Sequence, residues 1–517
     1  MENSNLVKNT FELHPFFFGI FTTIFIFAFN IHIVKFQDLA LPFLIIIGTI
    51  VILTIPIRFV LKNSKKTAFI ITISLIIFFT YGHFYEIIES QVDSFSHKIL
   101  LPIFLILFLI GIIYFIKTKR KLDNATKIVN GIGLVIILIS VINIGVYFID
   151  TEPEDTINQI NNEQIVKSSM YENENFHDVY YIILDGYAGS ESLKKTFEFE
   201  NDEFTDFLLS KNFFVPQHSH ANYPHSYQSL ASSLNMNYIN EIESEDLQKR
   251  TDIAYQMIDN NLVMKNFKSK GFELINVYSG WGPTRDISIS DINLCDEYHG
   301  LVDSELFSMV LNKSVLDPFF VKLFEDDRKD LIMCHFSKIK NAHSITEKAI
   351  FLFAHITIPH GPYIFGPNGE SITPESLQLG ENVVGLENNK VNKTGYLGQL
   401  KFTNKLVIDM IENILSKYEQ PPIIVIQGDH GSGEIPGWNK LEKEGLQERH
   451  SNFVAILVPN SDKEIFYETI TPVNIFRIIF NNYFGEALPL LDDKMYGMGI
   501  DPPWEFVDVT EIVLKRT

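Results

Sequence analysis

Positive charge is scarce in this 517-residue chain: 42 Lys and Arg stand against 63 Asp and Glu, for a formal charge of −21 at pH 7. Binding to a phosphate backbone needs a basic face, so this balance excludes a nucleic-acid partner. Cysteine is scarcer still, with only Cys295 and Cys334. Two are too few for a disulfide framework, and they lack metal-site spacing. Their separation does not decide whether they pair; ordinary core cysteines are expected. No internal repeat and no low-complexity tract occurs, which sets aside repeat architectures.

Apolar residues are plentiful, and they are unevenly spread. Residues 1–150 are dominated by Ile, Leu and Phe, whereas 151–517 have the composition of an acidic, soluble α/β domain. Five apolar segments follow one another at 15–34, 41–61, 68–88, 99–116 and 128–149. Each approaches the ~20 residues a helix needs to cross ~30 Å of hydrocarbon. The first is neither short enough nor suitably flanked to be a cleaved signal peptide. Five such runs in succession, with almost no interior charge, argue for a membrane domain rather than buried core helices.

Loop charges set the expected orientation. The second loop and its edges carry Arg58, Lys62, Lys65 and Lys66, and the fourth carries Lys117, Lys119, Arg120, Lys121 and Lys127. The first loop offers only Lys35 and Asp38. The third is acidic, with Glu86, Glu89 and Asp93, although Lys98 closes it. Basic loops stay inside. The amino terminus is therefore expected in the cytoplasm, with everything after Ile149 outside. The expected division is a five-helix transmembrane domain over 1–150, a polar linker over 151–177 and an extracytoplasmic domain over 178–517.

In the outer domain, strands are expected at 179–184, 213–216, 272–277, 349–358, 423–426 and 453–458. Helices are expected at 201–211, 227–235, 253–268, 301–324, 396–418 and 472–484. Alternation of this kind indicates an α/β fold with a mostly parallel central sheet between helices. Three of its apolar strands stop at residues with chemistry. Val179-Tyr180-Tyr181-Ile182-Ile183-Leu184 ends at Asp185, the strand interrupted by His355 ends at Pro359-His360, and Ile423-Ile424-Val425-Ile426-Gln427-Gly428 ends at Asp429-His430. Open α/β sheets bind ligands beyond the carboxyl ends of their strands. A lone Asp-His would read equally as a polar turn, but three strands ending this way suggest a site. Carboxylates with imidazole suit a divalent metal. Ser226, after Pro224 and before a helical stretch, is placed at a helix N-terminus, which suits an anion. A serine hydroxyl needs a base or a metal to act as a nucleophile, and the metal ligands here would be Asp185, Asp429 and His430. Taken alone, Ser226 reads as an N-cap.

In this order the motifs resemble the alkaline phosphatase/sulfatase superfamily. The nearest likeness is to the membrane-anchored branch that includes lipid A phosphoethanolamine transferases and lipoteichoic acid synthases. His355-Ile-Thr-Ile-Pro-His360-Gly361-Pro362-Tyr363 is similar to the transferases' two histidines followed by Gly-Pro and Tyr. Gly428-Asp429-His430-Gly431 matches the metal-binding Asp-His-Gly. Ser226-Tyr-Gln-Ser229-Leu230 lies where the family has its nucleophilic threonine, and Asp185 occupies the first metal-ligand position. The resemblance covers nearly the whole chain.

It implies a sulfatase-like fold and one or two divalent ions, Zn or Mn, held by Asp185, Ser226, Asp429 and His430. Ser226 and His360 become the catalytic residues, and His355, His450 and His225 contact substrate. The implied reaction moves a phospho-alcohol group from a membrane phospholipid to a cell-envelope glycan or lipid. The implied setting is the cytoplasmic (inner) membrane of a bacterium, with a monomer expected. Ester hydrolysis, or an inactive scaffold, are the alternatives. Serine replaces threonine here, with Ser229 a second nearby hydroxyl. The Cys/Ser-x-Pro-x-Arg signature of formylglycine sulfatases is absent, which disfavours sulfate esters. His450 stands farther from His430 than the family's late histidine would.

Overall fold

Val179–Leu184 forms β1, six residues without exposed surface at the centre of a six-stranded sheet. The computed structural model describes residues 11–31, 34, 36–89, 92, 95–150, 176–240, 247–298, 305–372, 393–459, 463–499 and 505–515. The other strands are β2 (Glu273–Val277), β3 (Ile292–Leu294), β4 (Ile350–Ile356), β5 (Ile423–Gly428) and β6 (Val454–Leu457). Their order is β3-β2-β4-β1-β5-β6, parallel throughout except that β6 runs antiparallel to β5.

Both faces of this sheet are covered, which is why its strands are apolar at every position rather than at every second one. Tyr180, Ile182 and Leu184 enter one core with Leu400, Val407, Ile411 and Phe336 from the helices Lys393–Leu415 and Asp317–Lys340. Val179, Tyr181 and Ile183 enter the other with Leu230, Phe267, Phe476 and Phe480, from the helices Ser226–Asn235, Leu262–Ser269 and Pro472–Tyr483. Register then places the strand ends. Leu184 pairs with Ile356 on one side and with Gly428 on the other. Asp185 and Asp429 therefore leave adjacent strands, ~4.8 Å apart, at the same level.

Several boundaries differ from the expectations. Residues 213–216 make an isolated bridge, Phe214 to Ile456, instead of a strand. The helix expected over 253–268 is two, Leu247–Asp259 and Leu262–Ser269. Asn261 caps the second, its side chain accepting from the Met264 amide. β3 and the helix Ser190–Phe197 were not expected. Cys295 and Cys334 are buried as expected but are paired, with their Cα atoms 6.1 Å apart. Spacing could not show this, because only the fold brings the end of β3 against the helix Asp317–Lys340.

The chain divides into two compact units. One is the sheet domain, residues 153–298 and 325–517; the other joins residues 1–152 to 299–324. The second unit holds five apolar helices: α1 (His14–Phe29), α2 (Ala40–Leu61), α3 (Ser64–Glu89), α4 (His97–Lys117) and α5 (Asp123–Asp150). Among the described residues, four are long and apolar enough to cross a membrane, and α1, at 16 residues, is shorter. The expected five-helix crossing thus has four full-length members. Residues 305–324, expected as part of the outer domain, return to this unit. Leu306 and Val310 of the helix Glu305–Asn312 share a core with Ile46, Ile71 and Phe79. Residues 301–304 and all but 176–177 of the expected linker lie outside the described residues.

Candidate active site

Asp185 and Asp429 end the two central strands, and the turns that follow are built to aim them at one point. Gly186 has φ +67°, a conformation glycine adopts freely, and its amide donates to Asp429 Oδ1 at 2.8 Å. The His430 amide donates to the same oxygen at 3.0 Å. Gly431 must also be glycine, since a Cβ there would lie 2.1 Å from the Glu448 carbonyl oxygen. His430 Nδ1 donates to the Gly431 carbonyl at 2.8 Å, which leaves the Nε2 lone pair facing the carboxylates. His430 Nε2 is 3.3 Å from Asp429 Oδ2 and 3.8 Å from Asp185 Oδ1. These three residues are buried, and each offers one ligand atom within 4.8 Å of the others.

Ser226 is the first residue of the helix Ser226–Asn235, and its Oγ lies 3.0 Å from His430 Nε2. Ser229 is buried one turn further in, without that contact. His360 follows β4, and its amide donates to the Asp185 carbonyl at 2.9 Å. Its ring repeats the arrangement of His430: Nδ1 donates to the carbonyl of the next glycine, Gly361, at 2.8 Å. The two imidazole centres are 6.2 Å apart. Asp185, Ser226, His360, Asp429 and His430 are therefore brought together.

The three residues expected to contact substrate are placed differently from one another. His355 is 1% exposed and lies behind Asp185, with Nε2 3.7 Å from Asp185 Oδ2 and Nδ1 2.8 Å from Thr284 Oγ1. That position suits orienting Asp185 better than touching a substrate. His450 is also enclosed, with its Nδ1 donating to the Ala221 carbonyl at 2.7 Å. Burial takes its pKa down to about 4, with His220 and Arg449 adding to the effect. A contact with substrate does not fit a ring without exposed surface. His225 is half-buried beside Ser226, between Trp438 and Tyr227.

Arg449 was not anticipated, although it stands one position from His450. It is buried, and its guanidinium lies 4.7 Å over the Trp438 ring. Nε donates to the Pro224 carbonyl at 2.7 Å, Nη1 to Gly431 at 3.2 Å and Nη2 to His430 Nε2 at 3.0 Å. One arginine thus ties the turn before Ser226 to the turn after β5. Thr284, which holds His355, was missed as well, because nothing local in the sequence links it to β4.

The charges are unevenly shared. Burial and the neighbouring Asp429 raise the Asp185 carboxyl above its ordinary value. Burial also opposes charge on Asp429, but the Gly186 and His430 amides, both donating to Oδ1, help to hold it below the usual carboxylate range. Burial and Arg449 keep His430 neutral, as a metal ligand must be. Asp185 Oδ1 and Asp429 Oδ2 are buried without a hydrogen-bond partner. Two buried carboxylate oxygens without a partner beside His430 Nε2, which here accepts from Arg449 Nη2, form a donor set that a divalent cation would fit in place of that hydrogen bond.

No protein-family model and no curated protein sequence matches the chain. Solved structures do. The C-terminal periplasmic domain of EcEptC from Escherichia coli is similar at 10% identity and a TM-score of 0.42, over 65% of this chain and 93% of that one. Lipooligosaccharide phosphoethanolamine transferase A, an integral membrane protein from Neisseria meningitidis, is similar at 12% identity and a TM-score of 0.35, over 90% and 94%. The lipoteichoic acid synthase LtaP from Listeria monocytogenes is similar at 10% identity and a TM-score of 0.39, over 67% and 83%.

Proposed function

We propose that the chain is a metal-dependent transferase at the outer face of the cytoplasmic membrane. It takes a phospho-alcohol group from a membrane phospholipid, holds it on Ser226 and passes it to an envelope glycan or lipid. The observation that carries this reading is the convergence of Ser226 Oγ with His430 Nε2 and the two unpartnered oxygens of Asp185 and Asp429. A buried carboxylate oxygen left without a partner is costly, by about 1–3 kcal/mol.

A Zn or Mn ion held by Asp185, Asp429 and His430 would draw charge from the transferring group and from the serine oxygen. The chain's own residues do the rest. Ser226 stands at a helix N-terminus, where free amides favour an anion. Its Oγ bonds to phosphorus as the bond from phosphorus to the diacylglycerol oxygen breaks. The serine proton passes by way of His360 Nε2 to that leaving oxygen. An acceptor hydroxyl oxygen then bonds to phosphorus as the Ser226 Oγ–phosphorus bond breaks, and the acceptor's proton passes by way of His360 Nε2 to Ser226 Oγ. Arg449, adjoining both Ser226 and His430, is assigned to the phosphoryl oxygens.

The test supplies phospholipid with a labelled headgroup, without acceptor, and searches the protein for label by mass spectrometry. Label on Ser226, lost in Ser226→Ala and kept in Ser226→Thr, is expected. Label on Ser229, or full turnover by Ser226→Ala, would overturn the assignment. Headgroup released into water without acceptor would show a hydrolase.

A further inference from the structure

His355, His360 and His430 adjoin Asp185, and two of them have their tautomer fixed by a group that can only accept. His360 and His430 each place Nδ1 2.8 Å from the carbonyl of the following glycine, so Nδ1 carries the proton and Nε2 the lone pair. His355 differs. Its Nδ1 lies 2.8 Å from the Thr284 hydroxyl, which can donate or accept, and its Nε2 is buried without a hydrogen-bond partner. That Nε2 faces Asp185 Oδ2 at 3.7 Å, whereas Asp185 Oδ1, also without a partner, faces His430 Nε2 at 3.8 Å. At 3.7 Å the interaction is electrostatic rather than a hydrogen bond, and its sign depends on which nitrogen of His355 holds the proton.

The segment that decides this follows β2. Val277 pairs with Ala354, so the chain beyond β2 lies beside His355. It turns through Gly280, at φ +71°, and returns in the single helical turn Gly282–Arg285, which carries Thr284. Ser279 Oγ accepts from the Trp281 amide at 3.0 Å and lies 2.9 Å from Thr284 Oγ1. Ser279, Thr284 and His355 are all buried. The Trp281 carbonyl already takes the Thr284 amide at 3.1 Å, which leaves one lone pair for two hydroxyls, Ser279 at 3.1 Å and Thr284 at 3.3 Å. Each hydroxyl is closer to the next member of the row than to that carbonyl.

The two ends then set the direction, because an amide only donates and a carboxylate only accepts. Protons run from the Trp281 amide to Ser279, from Ser279 to Thr284 and from Thr284 to His355 Nδ1, leaving Nε2–H directed at Asp185. The opposite order would set an imidazole lone pair against a buried carboxylate, which a low-dielectric site penalises. The Trp281 ring, 5.1 Å from the imidazole and at 82° to it, holds the plane of His355.

We infer that Ser279 and Thr284 are positioning residues, which keep His355 as an Nε2–H donor toward Asp185 Oδ2 so that Oδ1 is the oxygen offered to a divalent ion. The inference rests on the reading of Asp185 as a metal ligand, and its test needs no turnover. Zinc affinity of the full-length protein in detergent is measured by competition with a chromophoric chelator. Losing an outer hydrogen bond behind a metal ligand costs about 10–100-fold in affinity. Thr284→Val is expected to weaken zinc by that factor, and Thr284→Ser to bind it as the unaltered chain does. In a chain that already carries His355→Phe, Thr284→Val should weaken zinc no further, because its route to Asp185 is gone. Zinc affinity unchanged in Thr284→Val, or weakened equally with and without His355, would overturn the inference and leave the transferase reading standing. If Thr284→Val does not fold, nuclear magnetic resonance of the unaltered protein with isotope-labelled histidine rings, assigned against His355→Gln, reads the tautomer directly. A protonated Nε2 with an unprotonated Nδ1 is expected at His355, and the opposite tautomer would overturn the inference. An unaltered chain that binds no zinc would remove the metal-dependent reading, and this inference with it.

Discussion

At the residue scale, removing Arg449 is expected to separate metal binding from the proposed transfer. Its Nη2 sits 3.0 Å from His430 Nε2, but it is not one of the three clustered ligands. A guanidinium stacked on Trp438 and fixed by the Pro224 and Gly431 carbonyls is already ordered beside His430, so a fork of donors is presented at little ordering cost. Arg449→Met is expected to reduce kcat by about 10²–10³, the usual effect of losing one preorganised donor to a reacting group. Metal content per chain, read by plasma mass spectrometry, should stay near that of the unaltered protein. Arg449→Lys should recover little, because an ammonium cannot span Pro224, Gly431 and the reacting group together. An equal loss of metal and activity would make Arg449 a scaffold residue only.

At the scale of elements, the helix Asp317–Lys340 carries a histidine that is expected to make the sheet domain acid-sensitive. His335 is fully buried and donates Nε2–H to the Tyr278 carbonyl at 2.7 Å, leaving Nδ1 without a partner. Burial pushes its pKa from 6.5 down to about 4, the Tyr278 carbonyl opposing this and His355 adding to it. The unfolded chain therefore takes up a proton below pH 6.5 that the folded chain refuses until about pH 4. Stability is fully present above pH 6.5 and falls as the pH drops through that window. The total loss from this one group is about 3 kcal/mol. Gln keeps a donor near the Nε2 position and does not titrate. His335→Gln should therefore show a smaller fall in thermal midpoint between pH 7.5 and pH 5 than the unaltered chain. Identical falls would place the acid sensitivity elsewhere.

At the scale of the whole molecule, the chain leaves the sheet domain after Tyr298 and re-enters it at Glu325. The Cys295–Cys334 bond lies on both sides of that excursion and closes a separation of 39 residues. A crosslink across the stem of an excursion limits the freedom of the unfolded chain, which is worth about 2–4 kcal/mol for loops of this order. Disulfides persist in oxidising compartments, which agrees with the outward orientation expected from the loop charges. Cys295→Ala/Cys334→Ala is expected to lower the thermal midpoint of the full-length protein in detergent, and a reducing agent should lower that of the unaltered chain by the same amount. Reductant without effect would mean the thiols are free in solution.

The residue types and their order were enough to separate a membrane part from an α/β part and to nominate Asp185, Ser226, His360, Asp429 and His430, which the fold brings together. Asp185, His360, Asp429 and His430 rest on local physics, since continuous apolar runs make doubly covered strands and polar residues beyond them fall at the sheet's carboxyl edge; Ser226, which alone reads as an N-cap, rests on the family resemblance. Local patterns cannot report what distant segments do to each other. Arg449 meets His430 only because the helix Lys443–His450 folds back onto the turn after β5, and His355 becomes a buried neighbour of Asp185 only through the register of β1 with β4. Helix periodicity is the same whether an apolar face packs on a sheet or on membrane helices, so the sequence could not say that Glu305–Asn312 would pack with α2 and α3. Cysteine pairing depends on a distance that only the tertiary structure sets. The chemistry of the site was written in single residues; its enclosure and its arginine were decided by contacts between segments far apart in the chain.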